Sequence, residues 1–442
     1  MTAPGAPATR RELAELVTEA GGRLDDTGMA ELRPLVDDYV QRLDSAGAGE
    51  RAVIAVTQQR AEDFFAVVLA AWQTDSVPLL CESLTDAPLG PLGAELSPSA
   101  RVCRPAGSDI AAEGDSTAVL HMTSGSTGPP RIARRSCGSV LNEAAGYRTR
   151  LPLGLDDTVY VPTPLTHSYG WGIAFAALMA GSRLDARRLV HARRAAARAG
   201  AASVVALTAP TADLLAATPA TASAGPRIAM VGASRVSSDL DERFAARFGI
   251  RLTRNYGCSE TGPTFIGSAG LPEGAIGTPM PGVTVLAPDP GAEGELRLLL
   301  DAPVEGFLGA ADPPRTRWDT GDLVRRGRDG VVTFVSRLHP SARLNDRTVD
   351  LDGLCRAIRH VPGVVEVVPV VLVRSAGETE DLYAVVQGEG VDRAQVERSR
   401  STFPAGTGSV RLVHCDELPV TAGGKVDRAH VIKLIDAQWP GR

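Results

Sequence analysis

No two of the six cysteines sit at metal-ligand or redox spacing: they fall at positions 81, 103, 137, 258, 355 and 415, with no CxxC among them. That pattern excludes a zinc knuckle and argues against a disulfide framework, so reduced thiols of a cytoplasmic protein are the simpler reading. Aromatic residues are scarce at 4%, and any aromatic beside a motif is therefore informative. There is no basic excess, since 46 Lys and Arg face 52 Asp and Glu for a net charge of −6, which argues against a nucleic-acid partner. The longest apolar runs, such as Phe64–Trp72, are about half the ~20 residues a membrane span needs, so no membrane partner is expected. Arg10 and Arg11 are not followed by an apolar stretch, and a secretory leader is not expected. GxxxxGK[ST], GxGxxG and GxSxG are also absent, which removes the Walker loop, the dinucleotide fingerprint and the serine-hydrolase elbow.

What remains describes a globular protein of 442 residues, 44% apolar and 22% charged, too long for one compact core. Residues 9–45 read as amphipathic helices, with Leu13, Leu16 and Val17 at helical spacing. A buried strand at Arg51–Thr57, a helix at Ala61–Trp72 and a strand at Val77–Leu80 form a βαβ unit. The alternation continues through Val159–Val161, a helix at Trp171–Met179, Ser203–Leu207 and Arg227–Val231, while His191–Ala202 reads as a solvated Ala/Arg helix. From about residue 276, short Gly- and Pro-broken β segments suggest a small β subdomain, and the polar run Leu338–Gly353 reads as a linker. The last part alternates again: helix Leu351–Arg359, strands Val364–Val373 and Tyr383–Gln387, helix Arg393–Ser401, strand Val410–Cys415 and helix Ala429–Ala437. The expected class is α/β. A large N-terminal domain of helix-covered sheets (residues 1–337) carries the small β subdomain, and a small mobile α+β C-terminal domain (338–442) follows.

Five stretches combine residue types suited to chemistry. The first is His121–Arg131, HMTSGSTGPPR, behind a short apolar strand. Gly125 and Gly128 permit a tight turn, and Thr123, Ser124, Ser126 and Thr127 supply hydroxyls that can wrap phosphate oxygens. An ordinary strand-ending turn has the same composition. Asn255–Gly262, NYGCSETG, holds Glu260 between glycines, a carboxylate able to bind Mg²⁺ near phosphates or simply to meet solvent. In WDTGDL (Trp318–Leu323) Asp322 can accept from a ribose diol or close a turn. PLTHSYGWG (Pro164–Gly172) concentrates His167, Tyr169 and Trp171 before an apolar helix, as a substrate-pocket wall or as packed core. Finally, PVTAGGKVDR (Pro419–Arg428) sets Lys425 on a Gly-Gly loop, suited to neutralising developing phosphate charge or to facing water.

Together, and in their order along the chain, these segments resemble the adenylate-forming (AMP-binding) superfamily of acyl- and aryl-CoA synthetases, peptide-synthetase adenylation domains and luciferases. TSGSTGPPR resembles its phosphate loop, and PLTHSYG its His-containing segment bordering the acyl pocket. MVGASR resembles the strand-end loop beside adenine and substrate, NYGCSETG the YGxTE motif, WDTGDL the ribose-binding TGD motif, and SRLHPSARL the hinge. The resemblance implies ATP-dependent activation of a small carboxylic acid as acyl-AMP, with pyrophosphate release and Mg²⁺, then transfer to an acceptor such as CoA or a phosphopantetheinyl acyl carrier protein. It implies that Thr123, Ser124, Gly125, Ser126, Thr127, Gly128 and Arg131 bind the β/γ phosphates. Ser259 and Glu260 would serve the α-phosphate and metal. Tyr256 and Gly257 would lie against adenine, with Asp322 and nearby Arg337 at the ribose. His167, Ser168, Tyr169, Trp171, Gly232 and Ala233 would border the acid, Lys425 would act in the transition state, and His339 would lie at the hinge.

Departures shape the expectation. The phosphate loop ends in Arg131 where the family usually has Lys, and the hinge position is His339 followed by Pro340. Asp346 stands where the family typically has a Gly that lets pantetheine pass, so a non-thiol acceptor such as an amine is an alternative. No Asp follows His167 to anchor an α-amine; Ser168 and Tyr169 stand there. That favours a compact or aryl acid over an α-amino acid. A nucleotide-binding descendant without turnover is the other alternative, and the presence of Lys425, Glu260 and Asp322 argues against it.

Overall fold

The computed structural model describes residues 9–48, 52–84, 92–103, 116–123, 131–219, 225–233, 236–310, 313–337, 341–344, 347–373, 380–399, 410–419 and 428–439. The chain divides into two compact units, with the boundary between Leu338 and His339.

Two sheets build the first unit. In the six-stranded sheet the order is Leu92–Ser97, Ala100–Cys103, Val53–Val56, Val77–Leu80, Thr117–Thr123, Arg131–Ser136. Val53–Val56 and Val77–Leu80 run parallel, joined by the helix Ala61–Gln73 as the βαβ reading expects. Both strands are fully buried, which is why they read as unbroken apolar runs. The second sheet has thirteen strands. Its parallel part runs through Arg183–Asp185, Thr158–Tyr160, Val204–Leu207, Ile228–Gly232 and Leu252–Cys258. The β segments after residue 276 have their own apolar core, with Phe265, Leu296, Leu298 and Val324. Their strands nevertheless continue this same sheet, through antiparallel pairing of Gly262–Ile266 with Ala275–Pro279.

Helices Cys137–Arg150 and Ser168–Met179 pack on each other and into the largest core. The second starts three residues earlier than the sequence suggests, because its apolar face already includes Tyr169. The Ala/Arg helix spans Ala192–Ala201 and is wet on one side only, since Ala195, Ala196 and Ala199 are buried. Small alanines let that side lie close to the sheet.

In the second unit Val364–Val373, Glu380–Gly388 and Val410–Cys415 form a three-stranded sheet with the helix Leu351–Arg359. The presumed linker is corrected here: Ser341–Leu344 and Arg347–Asp350 pair as an antiparallel hairpin. The strands are only four residues each and rich in charge, so their composition hides the signal.

Among the described residues no helix is long and apolar enough to cross a membrane.

Candidate active site

The strand Thr117–Thr123 enters the Gly/Ser loop and Arg131–Ser136 leaves it, with Thr123 opposite Arg131 in the antiparallel register. The two ends of the loop are thus pinned to adjacent strands. Ser124, Gly125, Ser126, Thr127 and Gly128 lie outside the described residues. Arg131 is exposed, and its guanidinium lies 3.4 Å over the centre of the Phe307 ring, a cation–π contact that a lysine would make with different geometry.

His121, two residues before Thr123, is buried beside Trp171. Burial, then the nearby Arg135 and His167 charges, pull its pKa down to about 3. The folded protein holds this imidazole neutral, whereas the unfolded chain takes up a proton near pH ~6.5. Stability is therefore lost as pH falls through that value toward about 3. Urea midpoints at about pH 7 and 5 should drop less in His121→Gln than in the unchanged protein. Equal drops would remove His121 from the acid limb.

The segment Asn255–Glu260 is the hub of the arrangement. It closes the parallel strand Leu252–Cys258, whose C-terminal end lies beside that of Ile228–Gly232, with Gly232 opposite Asn255. Crevices at such strand ends are where α/β sheets place ligands. The Tyr256 hydroxyl donates to Asp322 Oδ2 across 66 positions of sequence. Asp322 is buried, its N–H donates to Thr320 Oγ1 at 3.1 Å, and Thr320 donates in turn to the Leu296 carbonyl at 2.9 Å. Gly321 between them takes φ +68°, which only glycine adopts freely. Arg337 is paired with Asp322 across the next strand. Tyr256 meets Phe265 edge-on at 5.8 Å, which orients its ring.

On the other side of the hub, Ser259 Oγ lies 3.4 Å from Ser168 Oγ, so the two motif segments meet directly. Ser259 and Glu260 are half-buried. Burial, then the Glu260 charge, push the Cys258 thiol well up, which keeps it protonated and inert. His167 caps the helix Ser168–Met179 without a side-chain bond of its own to the cap. Its Nε2 instead lies 3.0 Å from Glu82 Oε1, with both side chains about half exposed.

Tyr169 is buried and donates to the Met230 carbonyl at 3.1 Å. A methyl at Gly232 would lie 2.7 Å from the Tyr169 ring, so glycine is needed for that contact. Ala233 follows at φ +63°, a conformation uncommon for a residue with a Cβ. Trp171 points the other way. It is 1% exposed and stacks with Phe65 and Phe175, edge-on to Trp72. The structure thus brings Tyr256, Asp322, Ser259, Ser168, Tyr169 and Gly232 together, and leaves Trp171 in an aromatic core behind them. Lys425 and His339 lie outside the described residues, as does the Arg337 side chain.

Sequence reasoning missed Arg135, Glu143 and Tyr147. Tyr147 donates to Asn255 Oδ1 at 3.2 Å, and Arg135 pairs with Glu143 at 2.9 Å. The available signal was an acid on the apolar side of a helix, where Val140, Ala144 and Tyr147 share its burial.

Among the described residues no group of three acidic, His or Cys side chains could hold a metal. Glu260 alone suits an ion that uses one carboxylate and takes its other ligands from nucleotide phosphates and water, the usual habit of Mg²⁺.

Residues 89–298 match the family model for AMP-binding enzymes. The chain is 31% identical over 230 residues to a probable non-canonical nonribosomal peptide synthetase, CymA, from Salinispora arenicola, covering 46% of this chain and 3% of that protein. It is 30% identical over 272 residues to the medium/long-chain-fatty-acid–CoA ligase FadD17 of Mycobacterium tuberculosis, covering 56% and 53%. The chain therefore spans about half or less of the length of these curated relatives. Among solved structures, o-succinylbenzoate CoA synthetase MenE from Bacillus subtilis matches with a TM-score of 0.74 at 16% identity, covering 97% of this chain and 98% of that one. Amide bond synthetase McbA from Marinactinospora thermotolerans matches with a TM-score of 0.70 at 20% identity, covering 95% and 98%. The solved structures show the fold; the family-model match and the curated relatives, with the ordered motifs, show that the chain belongs to the adenylate-forming (AMP-binding) superfamily.

Proposed function

We propose that the protein activates a carboxylic acid with ATP. A carboxylate oxygen of the acid bonds to the α-phosphorus, the bond from that phosphorus to the α–β bridging oxygen breaks, and pyrophosphate leaves with acyl-AMP remaining. The observation that carries this reading is the hub Asn255–Glu260, which joins Asp322 through Tyr256 and Ser168 through Ser259. One short segment thereby joins the groups read as binding the nucleotide to the segment read as bordering the acid, which supports the proposal.

In this reading Tyr256 and Gly257 lie along the adenine, and Asp322 with Arg337 takes the ribose hydroxyls. Thr123 to Gly128 and Arg131 hold the β/γ phosphates. Ser259 and Glu260 serve the α-phosphate, with Glu260 as the Mg²⁺ ligand; bound Mg²⁺ supplies neutralisation of phosphate charge. His167, Ser168, Tyr169, Gly232 and Ala233 shape the acid side. Tyr169, whose ring lies against Gly232, is the aromatic on which a compact or aryl acid is preferred to a long chain. Trp171 acts from behind, by packing the helix that carries them. Residues 338–442 form the mobile domain that brings Lys425 to the reacting groups and, swinging about His339, withdraws it. None of the six cysteines forms a disulfide, which supports a cytoplasmic setting.

The test is pyrophosphate release with a panel of aryl, short acyl and α-amino acids. Release with a compact or aryl acid is expected, and ATP binding without release for any acid would favour a non-catalytic descendant.

The second half-reaction passes the acyl group to a nucleophile, most simply the thiol of CoA or of an acyl carrier protein, with AMP leaving and the thiol proton lost. Asp346 favours a second reading, in which a charged side chain on the thiol path selects an amine or other small nucleophile. Asp346→Gly should leave pyrophosphate release unchanged and raise thioester formation by about tenfold if the carboxylate obstructs the path. An unchanged thioester rate, measured with CoA and with a carrier protein, would return the thiol to first place.

A further inference from the structure

The strongest unexplained feature of the first unit is a buried ion pair outside every motif. Arg135 lies on the strand that leaves the phosphate loop, and Glu143 lies in the middle of the helix Cys137–Arg150. Their side chains are 2% and 3% exposed, and Arg135 Nη2 donates to Glu143 Oε2 at 2.9 Å. Arg135 Nε also donates to Ser139 Oγ at 2.9 Å, which fixes the plane of the guanidinium. Glu143 Oε1 has no hydrogen-bond partner among the described residues. Burial raises the Glu143 carboxyl and Arg135 opposes that rise.

Such a pair is weak support for stability, because an apolar pair of the same volume is often as stable or more so. Its surroundings suggest what it does. A methyl at Gly172 would lie 1.6 Å from Glu143 Oε1. At Gly262 a methyl would lie 2.6 Å from Arg135 Nη1 and 2.7 Å from Glu143 Oε2. Gly172 belongs to the helix that starts at Ser168, and Gly262 follows Glu260 by two residues at φ +70°. One turn beyond Glu143, Tyr147 holds Asn255 at the start of the hub. Two glycines thus press two motif segments onto one ion pair, and the same helix holds the hub at its other end.

We propose that the Arg135–Glu143 pair is a positioning strut, which sets Ser259 and Glu260 relative to the helix bearing His167 and Ser168. Neither residue touches substrate; they act through the backbone at Gly262 and Gly172. A charged pair suits this task because its geometry is directional, whereas two apolar side chains in the same space would let the glycine backbones settle closer or slide. The proposal rests on the adenylation reading for its kinetic consequence and on geometry alone for its structural one.

Two variants test it. Glu143→Gln keeps the shape and loses the charge, while Arg135→Met/Glu143→Leu replaces the pair with apolar volume. Thermal unfolding, kcat per folded molecule for acid-dependent pyrophosphate release, ATP affinity, and hydrogen exchange at residues 257–262 are measured for each. In both variants kcat should fall by about 10- to 100-fold, the size of effect expected when catalytic groups shift by about an ångström. ATP affinity should stay within about twofold, and exchange at 257–262 should rise while the strand Val204–Leu207 is unchanged. The double variant is the decisive one. Stability near the unchanged protein together with low kcat supports a strut, whereas stability and kcat both near the unchanged protein would overturn it. If the unchanged protein releases no pyrophosphate with any acid, the adenylation reading is what fails. The exchange arm then decides the strut alone: protection at 257–262 retained in both variants overturns it, and protection lost there only supports it.

Discussion

Lys425→Ala should lower acid-dependent pyrophosphate release by about 10²–10³-fold, equivalent to about 2.7–4 kcal/mol of transition-state stabilisation, while ATP affinity changes by no more than about threefold. The asymmetry follows from where charge develops. In the proposed reading, ground-state ATP is held by the phosphate loop, the adenine side and the ribose acceptor, none of which includes Lys425. On the same proposal, negative charge gathers as the carboxylate oxygen closes on the α-phosphorus, and a compact ammonium on a Gly-Gly loop is the group assigned to meet it. An interaction made only in the transition state appears in kcat and kcat/KM together and leaves ground-state binding untouched. Lys425→Arg should recover little, because a planar fork does not replace a point charge. Pyrophosphate exchange near the unchanged rate in Lys425→Ala would remove this residue from the chemistry. A matched loss of ATP affinity would make it a binding residue instead.

Asp322→Ala should weaken ATP binding by about 10- to 100-fold, or about 1.5–3 kcal/mol for hydrogen bonds to a charged group, with KM for the acid within about twofold. Asp322 is 1% exposed and already accepts from the Tyr256 hydroxyl, so the variant would lose the proposed ribose acceptor and also free the Tyr256 ring proposed to lie beside adenine. Tyr256→Phe separates the two effects, because it keeps both the ring and the carboxylate. A drop in ATP affinity of about threefold or less is expected there. Equal losses in the two variants would mean that Asp322 acts only by orienting Tyr256, and an unchanged ATP affinity in Asp322→Ala would contradict its assignment altogether. Isothermal titration with a non-hydrolysable ATP analogue reads both variants without depending on turnover.

Local pattern explains which parts of the fold were legible beforehand. Val77–Leu80, Val364–Val373, Val410–Cys415 and the helix Leu351–Arg359 have the bounds read from the sequence, because long apolar runs or a strong 3.6-residue period mark them. The strands Leu92–Ser97 and Ala100–Cys103 escaped notice, as did the hairpin Ser341–Asp350. These are short, polar segments whose β structure comes from the partner strand and not from their own composition. The β region after residue 276 was recognised as β, but its continuity with the main sheet depends on one pairing, Gly262–Ile266 with Ala275–Pro279, which no local pattern encodes.

At the site the same division holds. Residue types and their order were enough to identify the superfamily, because phosphate, ribose and carboxylate recognition each restrict the side chains that can serve. Sequence also placed His167 and Tyr169 just before an apolar helix beginning at Trp171, where the structure starts it at Ser168. Only the tertiary structure decided that Tyr169 turns toward Gly232 while Trp171 turns into the aromatic core. Only it joined Tyr256 to Asp322 and set Glu143 against Gly172 and Gly262. The reason is physical: helix and strand periods are local and repeat within a few residues, so composition displays them. Which buried polar groups meet depends on strand order and helix packing, and those contacts form between positions that can lie 108 residues apart or more, as Tyr147 and Asn255 do, where no period connects them.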